Sequence, residues 1–241
     1  MRANEVTYHV FRFDPEVDKE SRYETFRVPM RDGLTVLDGL IYILENLDNS
    51  LALRFSCREG VCGSCAMFIN GSYRLACQTQ IAELHADDVY VSPLPHLPVI
   101  RDLVVDMTVF FEKYEKVVPY LLNSEKPPEK EWLQSQQDRK KIDEVIDCIL
   151  CASCYSSCPM VWTDGRYLGP AAITKAYRFV ADSRDRGASQ RLSVVDSEDG
   201  VWRCHTIFNC VEACPKKINP TYAIQQMKKK AVIKRLKFWE R

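Results

Sequence analysis

Three cysteine runs constrain this chain more than any other feature of it. Residues 148–158 read CILCASCYSSC and are followed by proline, so Cys148, Cys151, Cys154 and Cys158 reproduce the bacterial ferredoxin spacing C-x2-C-x2-C-x3-C-P. Residues 204–214, CHTIFNCVEAC, repeat it with one departure: Cys204, Cys210 and Cys214 are in place, but Ile207 stands where the second thiol belongs. Upstream, CREGVCGSC and RLACQ set Cys57, Cys62, Cys65 and Cys77 in the C-x4-C-x2-C…C arrangement of a plant-type [2Fe-2S] centre.

The spacing carries a ligand rule. In two-cluster ferredoxins the fourth Cys of each run serves the other run's cluster, so Cys148, Cys151 and Cys154 are completed by Cys214 as a [4Fe-4S] centre. By the same exchange Cys158 joins Cys204 and Cys210, and the fourth corner falls at Ile207, whose branched aliphatic side chain cannot ligate iron. That points to a [3Fe-4S] cluster, and the three ligand sets then use all 11 cysteines. Gly60 and Gly63 would let backbone N–H groups approach the sulfides of the first cluster. Two competing readings stay open: Ile207 as a packing residue beside a centre completed by water or a distant group, and a four-thiolate zinc site at the first run.

Composition narrows the classes. An odd number of thiols, with no secretory signal expected from MRANEVTYHVFRFD, favours metal ligation over a disulfide scaffold. The four histidines fall outside the mixed Cys/His zinc spacings. Lys plus Arg and Asp plus Glu number 33 each, so no general field attracts nucleic acid. The most apolar stretches, LVVDMTVFF and GLIYILENL, are broken by acidic residues well short of the roughly 20 apolar residues of a membrane span.

Hydrophobic periodicity suggests how the runs are carried. Residues 5–13 and 22–30 alternate with period two, as a hairpin of half-buried strands does. Thr35 can cap a helix with Leu37, Leu40, Ile41 and Leu44 on one face. Asn70-Gly71 is a two-residue hairpin turn, and DDVYVSPL supplies a further strand. LVVDMTVFFEKYEKVVPYL, from residue 103, has a helical period, NSEKPPEKEW reads as a surface loop, and later segments read as short helices between cysteines. The expectation is an α+β chain with a small mixed domain over 1–102 and a helical domain over 103–241, joined through the proline-bearing SPLPHLPVIRD. Three one-electron centres without an evident substrate pocket read as a wire between redox partners.

The motifs SCREGVCGSCAM, CILCASCYSSCP, GPAAITKAYRF and CHTIFNCVEACPKKINP, in that order, closely resemble the iron-sulfur subunits of succinate dehydrogenase and quinol:fumarate reductase, respiratory complex II. The resemblance implies a plant-ferredoxin-like β-grasp domain followed by an all-α, bacterial-ferredoxin-like domain. It implies a flavoprotein partner carrying FAD, membrane anchor subunits, with or without haem, beside the [3Fe-4S] end, and a place on the cytoplasmic face of a bacterial inner membrane. Electrons would pass between flavin and quinone, menaquinone or ubiquinone, by way of the three clusters. Some relatives carry Asp where this chain has Cys65. Pro159, Trp162, His205 and Ile207 match positions lining the family's quinone pocket, and Lys228 matches a basic residue contacting menaquinone, which leans the reading toward a fumarate reductase type. Thr163 replaces a second Trp that many dehydrogenases have.

For His205 a surface or cluster-packing imidazole competes with a quinone partner, as core packing does for Trp162. His9, His85 and His96 read as ordinary surface or strand residues. In the tail KKKAVIKRLKFWER, Lys228, Lys229, Lys230, Lys234, Arg235, Lys237 and Arg241 suit either an anionic membrane or anchor surface, or a solvated helix face. A free-standing soluble multi-cluster carrier is the competing function.

Overall fold

The computed structural model describes residues 5–126 and 128–239. β1 (Glu5–Arg12) and β2 (Arg22–Pro29) pair antiparallel, Glu5 opposite Pro29 and Arg12 opposite Arg22. Alternate residues of β1, Val6, Tyr8, Val10 and Arg12, are buried, as the pleat of a strand with one covered face requires. α1 (Val36–Tyr42) covers that face. Thr35 starts it with a capping box: its hydroxyl accepts from the Asp38 N–H while the Asp38 carboxylate accepts from the Thr35 N–H. A Cβ on Gly39 would lie 2.0 Å from the Tyr8 hydroxyl oxygen, so only glycine lets the helix rest on β1. The helix ends in a wider turn over Ile43–Leu47.

β3 (Ala66–Ile69) and β4 (Ser72–Leu75) form the second hairpin, turning on Asn70 and Gly71 at φ 44° and 75°, the left-handed pair that a two-residue turn demands. β5 (Asp88–Ser92) runs parallel to β1 and antiparallel to β3, closing a five-stranded sheet of order β2-β1-β5-β3-β4.

The stretch after residue 98 departs from its sequence reading. β6 (Val99–Arg101) and β7 (Val104–Val105) make a two-stranded ribbon, and helix begins only at α2 (Thr108–Lys116). Asp102 is the cause. Its buried carboxylate accepts from Arg12 Nε at 3.1 Å, Phe13 N at 3.0 Å and Ala52 N at 2.9 Å, drawing the chain back before it can coil.

Two compact units result. The first holds the residues up to Met107 together with Ile149–Ser156; the second holds Thr108–Cys148 and the residues from Ser157 onward. The second unit's described elements are all helical: α2, α3 (Gln136–Lys140) and α4 (Asp143–Ile146), then, beyond α5 (Ser153–Ser156) of the first unit, α6 (Pro159–Thr163), α7 (Gly169–Val180), α8 (Ala188–Val195), α9 (Asn209–Glu212) and α10 (Pro220–Trp239), with a 3-10 turn at Val201–Arg203. α7 is buried along most of its length and packs on α10, α2, α8 and α4; its small residues Gly169, Ala171, Ala172 and Ala176 permit close approach.

α8 is tied to the chain beyond α2 by Arg191. Its Nη1 donates to Asp185 at 2.7 Å, Nε to the Val118 carbonyl and Nη2 to the Tyr120 carbonyl, so each nitrogen of this fully buried cation has a partner. No helix among the described residues is long and apolar enough to cross a membrane.

Candidate metal centres

The first centre is built by a loop with no regular structure between Leu51 and β3. Arg58, Gly60 and Gly63 take positive φ of 61°, 70° and 73°, turning successive N–H groups inward. Cys57 Sγ accepts from the N–H groups of Glu59, Val61 and Cys62 at 3.3–3.4 Å, and Cys62 Sγ from those of Cys57 and Ser64 at 3.5 Å. Backbone donors aimed at sulfur shape the loop to receive a metal-bound thiolate. Burial opposes ionisation of Cys62, yet these hydrogen bonds prevail and bring its pKa down to about 6. Cys65 is deeper; burial, with Cys77 beside it, pushes it up to about 12, so its proton leaves only when a cation replaces it.

The glycines act as the spacing suggests, with one addition. A Cβ on Gly60 would meet the Gln78 side chain at 2.9 Å. One on Gly63 would meet the Ile149 carbonyl at 2.8 Å and Cys151 Cβ at 2.9 Å, so this glycine lets the first loop rest on the start of the second run. That segment is also held by Tyr73, whose hydroxyl donates to the Ser156 carbonyl at 3.3 Å, and by Ser156, which donates to the Pro95 carbonyl.

The two ferredoxin runs share one backbone pattern. Leu150 and Ala152 have positive φ of 55° and 64°, and α5 follows; Thr206 and Phe208 have 60° and 72°, and α9 follows at the same offset. Two non-glycine left-handed residues in a four-residue stretch are costly, and their repetition marks a loop shaped for a purpose. In this frame Ile207 occupies the place that Cys151 has in the earlier run.

In the second unit Cys158, Cys204 and Cys210 line one narrow, partly open pocket with Pro159, Tyr167, His205, Ile207 and Thr221. Cys158 precedes α6 as its N-cap residue, and Pro159 opens the helix. Ser157 and Asn209 lock the two cysteine loops reciprocally: Ser157 Oγ donates to the Asn209 carbonyl at 3.3 Å, and Asn209 Nδ2 to the Ser157 carbonyl at 3.2 Å. α10 adds Thr221, its hydroxyl 3.4 Å from Cys210 Sγ, and Gln225, which donates to Thr206 Oγ1 at 3.0 Å. Burial raises the pKa of Cys158, and of Cys210 to about 11, with the neighbouring thiols adding to both.

No disulfide joins the 11 cysteines, and among the described residues no three His, Cys, Asp or Glu side chains close on a single ion. Cluster iron suits what the pocket offers. Tyr167 is fully buried, and its hydroxyl makes no hydrogen bond of standard geometry but faces the Cys204 thiol, so a sulfur acceptor there would offset a desolvation cost of about 1–3 kcal/mol. Burial, and the thiols of Cys204, Cys158 and Cys210 facing it, hold the phenol protonated.

Comparison with known proteins decides the family. A 2Fe-2S iron-sulfur cluster binding domain matches residues 7–112, and a 4Fe-4S dicluster domain matches 140–215. The succinate dehydrogenase iron-sulfur subunit of Paracoccus denitrificans is 46% identical over 223 residues, 92% of this chain and 86% of the relative. The chain belongs to the iron-sulfur subunits of succinate dehydrogenase. The corresponding subunit of Coxiella burnetii is 45% identical over 226 residues, covering 92% of this chain and 95% of that one. A chain of the Mycobacterium smegmatis Sdh1 complex in the apo form superposes with a TM-score of 0.82 at 28% identity, over 95% of this chain and 96% of that one. As a succinate dehydrogenase iron-sulfur subunit, the chain has an N-terminal [2Fe-2S] domain followed by a 4Fe-4S dicluster domain and serves electron transfer.

The residues the sequence suggested for quinone contact divide in two. Pro159, His205 and Ile207 line the pocket of Cys158, Cys204 and Cys210, and Ile207 is 48% exposed. Trp162 is exposed on α6 but does not line that pocket, and Lys228 turns away to donate to the Cys204 carbonyl at 2.8 Å. In the tail, Arg235 pairs with Asp196, Lys229 and Lys234 are exposed and Lys230 is half-buried; Arg241 and the side chain of Lys237 lie outside the described residues. Tyr167, Ser157, Asn209, Thr221 and Gln225 escaped the sequence reading, because ordinary polar residues next to a motif carry no signal until the pocket brings them together.

Proposed function

We propose that this chain carries electrons between the FAD of a flavoprotein subunit and a membrane quinone, as the electron-transfer subunit of a succinate:quinone oxidoreductase. Each bound cluster takes up and releases one electron at a time, which suits a chain set between a two-electron flavin and a quinone. The [2Fe-2S] ligands are Cys57, Cys62, Cys65 and Cys77; those of the [4Fe-4S] centre are Cys148, Cys151, Cys154 and Cys214. Cys158, Cys204 and Cys210 hold a [3Fe-4S] centre. The observation that carries this set is Ile207, in a loop with the same left-handed residues and following helix as the loop of Cys151, but offering an aliphatic side chain where that loop offers a thiol.

The first unit is read as a plant-ferredoxin-like β-grasp, for which the mixed sheet crossed by α1 speaks, and the second as an all-α bacterial-ferredoxin-like domain. Pro159, His205 and Ile207, with exposed Phe208, put an apolar lip on the three-cysteine pocket, which suits a quinone and the anchor subunits that would hold the complex on the cytoplasmic face of an inner membrane. Trp162 would touch the quinone only from outside that pocket. Lys228 spends one of its three N–H donors on the Cys204 carbonyl, which is compatible with a quinone contact through another, and the lean toward a menaquinone-linked fumarate reductase type rests on the resemblance at that position.

The test is anaerobic purification with the flavoprotein and membrane subunits, followed by iron and sulfide analysis and stepwise reduction monitored by spin resonance. About nine irons and about ten acid-labile sulfides per chain, in three paramagnetic centres, are expected. Zinc in place of iron, two centres only, or a soluble monomer free of flavoprotein would overturn the reading.

A further inference from the structure

We propose that Tyr167 is a potential-setting hydrogen-bond donor to the cluster held by Cys158, Cys204 and Cys210. The proposal rests on the [3Fe-4S] reading and deepens it. Tyr167 lies between α6 and α7, lines the same pocket as the three cysteines and is wholly excluded from solvent. Its hydroxyl makes no hydrogen bond of standard geometry, and the side chain within its reach is the thiol of Cys204, one of the three cysteines themselves. Buried hydroxyls are almost always paired, and an exception lining a metal pocket calls for an acceptor that the pocket is built to receive.

A cluster provides such acceptors, since its sulfides and cysteine sulfurs carry negative charge. A hydrogen bond to sulfur counts for more as negative charge accumulates, so a donor stabilises the reduced cluster over the oxidised one and raises its midpoint potential. The other pocket residues are placed differently. Thr221 already engages Cys210, Gln225 engages Thr206, and His205 is exposed. Tyr167 is therefore a donor of fixed position, at a site dry enough for one hydrogen bond to register.

The experiment is a redox titration of the intact complex, followed through the spin-resonance signal of the oxidised three-iron centre, for the unaltered protein, Tyr167→Phe and a variant with 3-fluorotyrosine at 167. Phenylalanine keeps the ring and loses the donor, so the three-iron midpoint falls by about 59 mV for each tenfold loss in the reduction equilibrium. Fluorotyrosine, a stronger acid of almost the same shape, raises it. The other two centres keep their midpoints, and in the unaltered protein an exchangeable proton couples to the three-iron centre and is missing from Tyr167→Phe. A normal three-iron signal with an unmoved midpoint in either substituted protein that assembles, or without that proton in the unaltered one, overturns the role of Tyr167 and leaves the cluster assignment standing. Absence of the three-iron signal from the unaltered complex overturns both.

Discussion

Lys228 donates from Nζ to the Cys204 carbonyl at 2.8 Å, binding the long helix α10 to the first residue of the last cysteine run. Replacing it with Met keeps the aliphatic stem and removes the charge-assisted bond, a loss of about 1.5–3 kcal/mol of local stability. The expected outcome is faster loss of iron from the three-cysteine pocket under chelator, read from decay of its spin-resonance signal, with the [2Fe-2S] signal unaffected. Lys228→Arg should recover part of the loss.

Ile207→Cys supplies a thiol at the place that Cys151 holds in the earlier run. In iron-replete material this centre should convert toward [4Fe-4S], with a lower potential, and gain about one iron per chain by metal analysis. The oxidised three-iron signal should fall in proportion.

Gly39→Ala sets a methyl 2.0 Å from the Tyr8 hydroxyl oxygen and 2.3 Å from its ring carbon. The helix must lift from β1 or the tyrosine must leave its place, at a cost of about 1–3 kcal/mol, seen as a lower thermal midpoint of the first unit. Adding Tyr8→Phe should restore only part of this, because the ring carbon still clashes.

Asp102→Ala removes the common acceptor for Arg12, Phe13 and Ala52. Arg12 keeps Glu24, Asp48 and Ser50 as partners, so the cost should lie near the lower end of the roughly 3–5 kcal/mol for breaking a buried pair. Denaturant unfolding of the first unit measures it. Amide exchange should show the ribbon of β6 and β7 opening first, since Asp102 holds its turn.

The iron-sulfur domains were legible because cluster ligation demands thiols at fixed spacing, and the matched 2Fe-2S and 4Fe-4S dicluster domains span these runs. The opening hairpin, the Thr35 cap and the Asn70-Gly71 turn were equally open to reading, each being a local choice made by a few adjacent residues. The helical period from residue 103 misled, because the pull of Asp102 on Arg12 and Ala52 is long-range and overrides local preference, leaving Val104 to pair with Arg101 in a tight ribbon.

By itself the amino-acid order determined the kind of metal group, the odd aliphatic residue among the thiols and the succession of a mixed domain and a helical one. Only the tertiary structure decided that Lys228 serves a loop carbonyl, that Gly63 lets the first loop rest against Cys151, and that the Tyr167 hydroxyl lies buried among three cysteines. Ligand spacing is a property of a few neighbouring residues. The partner of a buried polar atom depends on what distant segments bring to it, and is settled only when the chain has folded.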